Sequence, residues 1–451
     1  MIRDFTLAEI AKALPGSKLT GDATVQVIST DSRSITAGET YLALTGIHFD
    51  GHDFVAECAS KGASAIIVER EFDIDIAQLI VTNSLQALAA IARFNRRLFQ
   101  GQTIGLTGSA GKTSTKEMLL SVCSQCGVTI ATQANLNNNI GVPFTLLRID
   151  AATEYAIVEM GTNTPGEINF SSRCAEPDIG LILNASEQHY EGFGSLDAIR
   201  QEKSDLINGV VDRGLVVLNA DDAAFGMWSS KAKQRSLKVI SYGVKRKDAD
   251  YVAERLIGDQ DGHFSFELRA ATESIGIALQ AVGRHQVSNA LACAAVAHQA
   301  GVSLQNIKQG LESFAGVPKR LEVLHGVKGS LIYNDTYNAS PASVFAGLDL
   351  MSDISGRTIA VLGDMAELGG ESVSLHKAIS HYAERKADLV FFYGPQFANA
   401  DTDSRRVYRD KLTLIDALKS VIRKNDKILI KGANCMKMQD VVNALVVRST
   451  Q

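Results

Sequence analysis

A glycine-rich segment carries the clearest chemical signal in the sequence. It follows a short apolar run at 103–107, precedes a helical pattern, and consists of Gly108, Ser109, Ala110, Gly111, Lys112, Thr113 and Ser114. Glycines let backbone N–H groups turn inward at the start of a helix, where the helix dipole also favours an anion. Lys112 can reach the β- and γ-phosphates of a nucleotide, and the Thr113 hydroxyl can ligate Mg²⁺. The segment therefore predicts an ATP-binding loop.

This loop departs at one position from the general phosphate-loop pattern. The pattern G-x-x-x-x-G-K-[ST] expects glycine at position 106, whereas the chain has Leu106 with Gly105 beside it. The alternative interpretation is a glycine-rich turn with an exposed lysine. The strand before the loop and the helix after it favour phosphate binding, but a phosphate loop alone does not identify a reaction.

Candidate metal ligands follow two later strands. Glu159 ends the predicted strand 155–159, and ligands of open α/β sheets bind at such carboxyl ends. Glu159 is therefore a candidate Mg²⁺ ligand, and the alternative is a capping acid for the next helix. His189 could ligate a second metal, but a lone histidine is more often structural, so this depends on Lys203 two turns into the following helix. A free ammonium cannot bind a metal, whereas a Lys203 carbamylated by CO₂ can.

Further polar residues are candidates for ligand contacts. Asn137 and Asn138 lie in a loop that offers donors and acceptors to a polar ligand, although an asparagine-rich turn is the simpler interpretation. Asn289 belongs to a segment that leads into an alanine-rich helix. Arg320 is free to contact a phosphate, and Asp335 could accept hydrogen bonds from ribose hydroxyls. Each charge, taken alone, would be an ordinary surface group.

The elements that must position these residues fall into three segments. Residues 1–99 mix short strands with amphipathic helices. Residues 100–315 alternate strands and helices, which predicts a mainly parallel sheet covered on both faces, and residues 249–283 add an antiparallel patch. Residues 316–451 repeat the alternation in a smaller doubly wound, Rossmann-like unit. We predict an α/β protein with three domains that have these boundaries.

The individual elements are predicted from periodicity and from helix start and stop signals. Strands are predicted at 40–44, 65–68, 103–107, 155–159, 179–183, 215–219, 331–334, 358–362, 389–393 and 428–430. Helices are predicted at 57–61, 84–98, 112–125, 285–300 and 303–314. Gly127 is the expected cap of the helix that follows the glycine-rich loop, and Pro143 is expected to set the start of another helix.

Composition limits the class of protein. The 451 residues are 45% hydrophobic and 21% charged, as in a globular protein of two to four domains. The net charge of -5 provides no basic field for nucleic acid, so local groups must hold any anionic substrate. We expect no membrane insertion, because no apolar run approaches the roughly 18 residues of a spanning helix and the amino terminus lacks a signal-peptide layout.

The cysteines indicate a reducing compartment. Six of them are spread over a long chain, which predicts reduced thiols and a cytoplasmic location. Cys123 and Cys126 form a C-x-x-C motif, but they fall inside a helical pattern and no second pair follows, so we assign them no metal or redox role. We expect the protein to be a monomer.

Taken together, the motifs resemble the Mur ligase family, the ATP-dependent amide-forming enzymes that build the peptide stem of peptidoglycan, over the whole chain. Within this family the resemblance is closest to the member that joins D-alanyl-D-alanine to UDP-N-acetylmuramoyl-tripeptide. The Asn-Pro-Arg motif of the diamino-acid-adding member is not seen. The motifs that carry the resemblance are Asn-Leu-Asn-Asn at 135–138, Glu-Met-Gly-Thr-Asn at 159–163, Pro-Gly-Glu-Ile at 165–168, Glu-Gly-Phe-Gly-Ser at 191–195 and Gly-Asp-Met-Ala-Glu-Leu-Gly at 363–369.

The resemblance implies a two-metal site for ATP. Lys112 and the loop amides would hold ATP, Thr113 and Glu159 a first Mg²⁺, and His189 with a carbamylated Lys203 a second. The residues implied at the adenine region and in the third-domain contacts to ATP are Asn289, Arg320 and Asp335.

The resemblance also implies where the substrates bind. Residues 1–99 would bind the UDP-muramoyl substrate, residues 100–315 would bind ATP, and residues 316–451 would bind the incoming dipeptide and close on ATP. Asn137 and Asn138 would lie near the muramoyl end of the substrate. The residues that look like part of the shared uridine-nucleotide domain are Thr30, Asp31, Ser32 and Arg33.

Some positions depart from the family pattern, and rival functions stay open. Gln286 stands where asparagine is usual, Ser340 replaces an asparagine, and Ala433 and Asn434 stand where serine and arginine are usual. Rival ligases of the same superfamily are the diamino-acid-adding and folylpolyglutamate types. A rival of another class is a phosphate-loop ATPase that forms no bond. That class normally has a Walker-B strand, an apolar run that ends in Asp or Asp-Glu, whereas the corresponding strand of this chain ends in Glu159.

Overall fold

Three large β-sheets follow one another along the chain. The computed structural model describes residues 1–47, 49–186, 190–400 and 406–447. Within these ranges the sheets have five, nine and six strands, and a two-stranded pair accompanies the first. Helices alternate with the strands, so the predicted α/β fold class is confirmed. No helix of this described part combines the length and the apolar character that crossing a bilayer requires.

The first sheet has mostly parallel strands. Its first strand pairs antiparallel with the second and the remaining pairs are parallel; the strand order is Lys18–Thr20, Ala77–Ile80, Ala65–Val68, Thr40–Leu42 and Ile28–Ser29. The two-stranded pair is formed by Phe5–Thr6 and Thr24–Val25. The helices of this segment are Leu7–Lys12, the 3₁₀ turn Gly51–Phe54, Val55–Ser60 and Ser84–Leu98.

The central sheet is parallel except at one edge. Its order is Thr129–Ala131, Tyr155–Glu159, Gln102–Thr107, Ile179–Ile182, Leu215–Asn219, Lys238–Gly243, Tyr251–Gly258, Phe264–Ala270 and Glu273–Ala278. The last three strands in this order pair antiparallel with one another, which confirms the predicted antiparallel patch. The helices of this segment are Lys112–Cys123, Gly141–Leu147, Glu167–Ala175, Tyr190–Phe193, Leu196–Ser204, Leu206–Gly209, Phe225–Gln234, His285–Gln299 and Leu304–Ser313.

The third sheet is again mainly parallel. Its order is Glu322–His325, Leu331–Asp335, Lys427–Lys431, Thr358–Gly363, Leu389–Tyr393 and Val407–Tyr408, with only the first pair antiparallel among these strands. Its helices are Pro341–Asp353, Ser372–Lys386, Pro395–Asn399, Lys411–Val421 and Gln439–Leu445. Its 3₁₀ turns are Val327–Gly329, Gly369–Glu371 and Asn434–Met436.

Apolar side chains cover both faces of the central sheet. Along the strand Tyr155–Glu159, Ile157 belongs to one buried cluster, and Ala156 and Val158 belong to another. This alternation follows from the two-residue period of a strand. The second cluster also contains Leu88 of the helix Ser84–Leu98, so the first segment is packed against the central sheet.

Two predicted helix boundaries were wrong, for local reasons. The helix after the glycine-rich loop ends at Cys123, with Ser124 as its cap. Gly127 instead allows the close approach of Glu154, whose carboxyl carbon would lie 2.5 Å from a Cβ at that position. The helix expected to start at Pro143 begins at Gly141, because the backbone N–H of Gly141 donates a hydrogen bond to Asn138 Oδ1 at 2.8 Å.

Candidate functional site

The glycine-rich loop lies at the carboxyl edge of the central sheet. It follows the strand Gln102–Thr107 and leads into the helix Lys112–Cys123, whose N-cap is Gly111 with φ +84°. A Cβ at Gly111 would lie 2.5 Å from Asn289 Oδ1. Position 111 therefore requires glycine both for its backbone conformation and for the approach of Asn289.

An asparagine from the neighbouring strand fixes the shape of the loop. Ala110 N donates to Asn184 Oδ1 at 2.8 Å, and Asn184 Nδ2 donates back to Ala110 O at 3.0 Å. Asn184 follows the strand Ile179–Ile182, which is adjacent to the strand before the loop. The sequence contained no local signal for this contact, because its two residues are 74 positions apart.

Lys112 lies folded over the loop. Its Nζ donates to the carbonyl oxygens of Gly108 at 2.7 Å and Ser109 at 3.2 Å. Burial lowers the pKa of Lys112; the nearby Glu159 carboxylate opposes this change, and the Arg320 charge adds to it. The ammonium therefore sits beside the loop amides, where a nucleotide phosphate would be stabilised by both.

Glu159 is the buried carboxylate of the site. The residue is 1% exposed, and its Oε1 accepts from Asn137 Nδ2 at 2.9 Å and Thr113 Oγ1 at 3.4 Å. Its Oε2 is buried without a hydrogen-bond partner in the described part of the chain. A carboxylate oxygen with free lone pairs beside a hydroxyl fits the oxygen ligands that Mg²⁺ prefers. Glu159 does not cap the next helix. Glu202 accepts from the backbone N–H groups of Gly166 and Ile168 at the start of that helix, and Glu167 accepts from two N–H groups of the preceding loop.

Lys203 is a buried lysine that forms no ion pair within the described part of the chain. It is the penultimate residue of the helix Leu196–Ser204 and is 2% exposed. Burial lowers the pKa of Lys203 well below its ordinary value, and the Lys112 charge lowers it further. Its Nζ makes no hydrogen bond or ion pair to any residue that the structure describes. His189, its predicted partner, lies outside the described residues, and the described residues contain no group of three or more metal-binding side chains.

Two predicted residues of the third segment, Arg320 and Asp335, lie at the same site. Arg320 Nη2 donates to Thr113 Oγ1 at 3.1 Å, and its guanidinium lies 4.1 Å from the centre of the Tyr337 ring. Asp335 accepts from Lys431 Nζ at 2.6 Å, and Lys431 is 2% exposed. Lys431 was missed from the sequence, although it ends a strand that is in register with the strand ending at Asp335.

These residues surround one cavity of about 340 Å³ between the central and third sheets. Its lining contains eleven of the predicted residues: Ser109, Ala110, Gly111, Lys112, Thr113, Ser114, Asn137, Glu159, Asn289, Arg320 and Asp335. It also contains Asn184, Gln286, Ser340 and Lys431. Gly108, Asn138 and Lys203 do not line it.

Residues 30–33 do not line this cavity either. Arg33 donates to both carboxylate oxygens of Asp31 at 2.8 Å, and this pairing lowers the pKa of Asp31 to about 2. The Arg33 side chain is 88% exposed. The segment thus forms a turn next to the first sheet in which two of its own side chains, Arg33 and Asp31, pair with each other. It does not belong to the cavity beside the glycine-rich loop.

Comparison with known proteins agrees with this arrangement in every segment. Residues 24–97 match the description "Mur ligase family, catalytic domain", residues 106–297 "Mur ligase middle domain" and residues 319–434 "Mur ligase, glutamate ligase domain". The UDP-N-acetylmuramoyl-tripeptide–D-alanyl-D-alanine ligase of Escherichia coli is 36% identical, with 98% of each chain covered. The chain belongs to the Mur ligase family. The predicted family and the predicted enzyme class, a ligase, are confirmed.

Solved structures of Mur ligases extend the agreement to three dimensions. MurF from Acinetobacter baumannii superposes with a TM-score of 0.91, at 31% identity and with 98% of each chain covered. MurF ligase from Thermotoga maritima in complex with ADP superposes with a TM-score of 0.85, at 26% identity, over 93% of this chain and 97% of that one. The ADP complex supports the prediction that this Mur ligase uses ATP.

The positions that depart from the Mur ligase pattern have clear local roles. Gln286 Oε1 accepts from Asn289 Nδ2 at 2.8 Å, so it orients the side chain that lies against Gly111. Ser340 caps the helix Pro341–Asp353 together with Ser343. Ala433 is buried and donates its backbone N–H to Asp364 O at 2.9 Å.

Proposed function

We propose that this Mur ligase joins D-alanyl-D-alanine to UDP-N-acetylmuramoyl-tripeptide in the synthesis of peptidoglycan precursors, the reaction for which its relatives are named. The observation that carries the proposal is the meeting of Lys112, Glu159 and Arg320 in one cavity. These residues come from the phosphate loop, the adjoining strand and the third sheet. We propose that a phosphate and a carboxylate approach each other beside these charges.

The first step activates the carboxylate. A terminal carboxylate oxygen of the tripeptide bonds to the γ-phosphorus of ATP, and the bond from that phosphorus to ADP breaks. The products are ADP and an acyl phosphate. Two anions must come together in this step, so fixed positive charge is the main catalytic requirement. Lys112, beside the loop amides, and Arg320, held against Tyr337, would supply this charge, and both line the cavity.

The second step forms the amide. The amine nitrogen of D-alanyl-D-alanine attacks the acyl carbon and loses a proton, and the bond from that carbon to the phosphate oxygen breaks. Phosphate leaves with one oxygen that belonged to the carboxylate. Activation as a mixed anhydride thus replaces a poor leaving group with a good one.

Glu159 and Thr113 are the proposed ligands of a first Mg²⁺. The buried, unpartnered Oε2 of Glu159 supports this assignment. When bound, Mg²⁺ supplies positive charge to the phosphate oxygens. His189 and Lys203 are the proposed ligands of a second ion.

Lys203 would serve as a ligand in carbamylated form. Its burial and its lowered pKa favour the neutral amine, which is the form that attacks CO₂. A bond forms between Nζ and carbon, and a proton is released, which leaves an anionic carbamate with two oxygens. The carboxylates of Glu202 and Glu167 favour the protonated amine, but neither forms an ion pair with Lys203 in the described structure.

The remaining assignments concern the segments. We propose that residues 1–99, with Thr30–Arg33, bind the UDP-muramoyl substrate, residues 100–315 bind ATP, and residues 316–451 bind the dipeptide and close on ATP; Asn137 and Asn138 then lie near the muramoyl end. The free thiols of all six cysteines support a cytoplasmic location. We propose that the protein is a monomer.

A phosphate-release assay tests the proposed function. Purified protein is supplied with ATP, Mg²⁺ and UDP-N-acetylmuramoyl-tripeptide, with or without D-alanyl-D-alanine. Strong stimulation by the dipeptide, and not by single amino acids, is expected. Stimulation by a diamino acid or by glutamate would instead indicate one of the rival ligases, and release that needs no second substrate would indicate an ATPase.

A further inference from the structure

Glu202 is a buried carboxylate that the proposed reaction does not use. The residue is 4% exposed and directly precedes Lys203 in the helix Leu196–Ser204. Its Oε1 accepts from Ile168 N at 2.8 Å and from the Thr162 hydroxyl at 3.2 Å. Its Oε2 accepts from Gly166 N at 2.8 Å. One side chain therefore receives three hydrogen bonds from a different part of the chain.

All three donors belong to the segment that follows Glu159. This segment, residues 160–168, contains the loop after the strand Tyr155–Glu159 and the first turn of the helix Glu167–Ala175. Its start is fixed on the sheet, because Met160 N donates to Leu106 O at 2.8 Å. A carboxylate bonded to the amides of a helix amino terminus is held both by charge-assisted hydrogen bonds and by the helix dipole.

We propose that Glu202 is a positioning residue that sets the place of Lys203 relative to Glu159. The inference rests on the proposed function, in which both residues serve as metal ligands. Glu202 joins the backbone next to Lys203 to the segment next to Glu159, so a change in this connection moves one ligand with respect to the other. The three donors also occupy the Glu202 carboxylate, and no ion pair between Glu202 and Lys203 occurs in the described structure.

A second acidic residue on the same segment, Glu167, makes it possible to distinguish this positioning role from ordinary helix capping. Glu167 accepts from Asn163 N at 2.6 Å and from Thr164 N at 3.1 Å. It therefore stabilises the same loop, but from within the helix that the loop precedes. Of these two acids, only Glu202 connects the loop to the helix that carries Lys203 in the described structure. Glu167→Gln is for this reason a matched control for Glu202→Gln.

The test compares these two variants with the wild type. In Glu202→Gln the side-chain NH₂ group must face the backbone N–H of either Gly166 or Ile168. Two donors cannot form a hydrogen bond, so the connection between the two segments loosens. We expect kcat to fall about 10- to 100-fold, the usual cost of removing an orienting partner of a metal ligand, with KM for ATP almost unchanged because the phosphate loop is untouched. We expect Glu167→Gln to keep kcat within about threefold, because the connection between the two helices remains.

Two further measurements need no turnover. Hydrogen–deuterium exchange should speed up in both 160–168 and 196–204 for Glu202→Gln, but only in 160–168 for Glu167→Gln. After incubation with ¹³C-bicarbonate, the carbamate signal of Lys203 should weaken in Glu202→Gln alone. If the wild type shows no dipeptide-dependent phosphate release, the proposed function fails, whereas the exchange experiment still tests the connection.

Several results would overturn the assignment. Wild-type kcat in a folded Glu202→Gln, or equal losses in both variants, would show that Glu202 only caps a helix. If Glu202→Gln does not fold, Glu202→Asp takes its place, because it keeps the charge and withdraws the carboxylate by one methylene. An intermediate kcat with faster exchange in both segments supports the role, and unchanged exchange in 196–204 contradicts it.

Discussion

Arg320 of the third segment donates a hydrogen bond to the Thr113 hydroxyl of the phosphate loop at 3.1 Å. The same guanidinium stacks on Tyr337. A single side chain thus connects the glycine-rich loop to the third segment. Its planar, multidentate shape serves both contacts, which a lysine cannot do.

Arg320→Lys should therefore reduce the rate of acyl-phosphate formation. We expect a loss of about 10²-fold in kcat, as for the removal of one fixed donor at a developing charge. Rapid-quench measurement of ADP formation in a single turnover checks this. Arg385→Lys, which alters an arginine stacked on Tyr382 outside the site, is the matched control and should retain wild-type rates. Equal single-turnover rates for Arg320→Lys and the wild type would show that Arg320 has no role in forming the acyl phosphate.

Gly111→Ala should impair nucleotide binding. The left-handed backbone conformation costs a non-glycine residue about 1–2 kcal/mol, and the new methyl group would meet Asn289. We expect the Kd for ADP, measured by calorimetry, to rise at least about tenfold, as a 1.4 kcal/mol loss would give. Asn289→Ala in the same chain should recover at most part of the loss, because it removes the collision but leaves the backbone strain and also removes the proposed adenine contact of Asn289. Full recovery would show that the backbone conformation of Gly111 does not matter.

The pair Asp335–Lys431 should be a major source of stability in the third segment. Removing the Asp335 charge leaves Lys431 buried without its counter-ion, with the Asn338 carbonyl oxygen as its remaining partner in the described structure, which costs about 3 kcal/mol or more. Asp335→Asn should lower the free energy of unfolding, measured with denaturant, by about this amount. The double variant Asp335→Asn with Lys431→Met should be less destabilised than the sum of the two single variants. Additive losses would mean that the two side chains do not depend on each other.

Activity should depend on CO₂ through Lys203. An ordinary lysine, with a pKa of about 10.4, has roughly 0.1% neutral amine at pH 7.4. The lowered pKa of Lys203 greatly increases this fraction, so carbamate can form near neutral pH. Removal of CO₂ should reduce kcat, and bicarbonate should restore it. As the pH falls through the lowered pKa, the amine becomes protonated and bicarbonate should lose its effect. A CO₂-independent rate, equal to that of Lys203→Arg, would contradict the carbamate.

Local sequence signals predicted the strand, loop and helix around the glycine-rich segment and much of the fold. The loop is contiguous, and the strands Ala65–Val68, Tyr155–Glu159, Leu215–Asn219 and Leu389–Tyr393 have strong apolar patterns, so they were predicted to the residue. Lys431 was missed because its partner Asp335 is 96 residues away, and only the neighbouring positions of two parallel strands bring them together. Glu202 was missed for a similar reason, since its three donors lie 34 to 40 residues earlier in the chain. Contacts of this kind depend on strand order and helix packing, which periodicity does not specify.

Transfer of an oxygen isotope tests the central claim, that the protein activates a carboxylate with the γ-phosphate of ATP. The tripeptide substrate is labelled with ¹⁸O in its terminal carboxylate and incubated with ATP, Mg²⁺ and D-alanyl-D-alanine, and the released phosphate is analysed by mass spectrometry. We expect one ¹⁸O atom in each phosphate that the wild type releases. We expect no labelled phosphate from Lys112→Ala. Unlabelled phosphate from the wild type, formed together with the amide product, would contradict it.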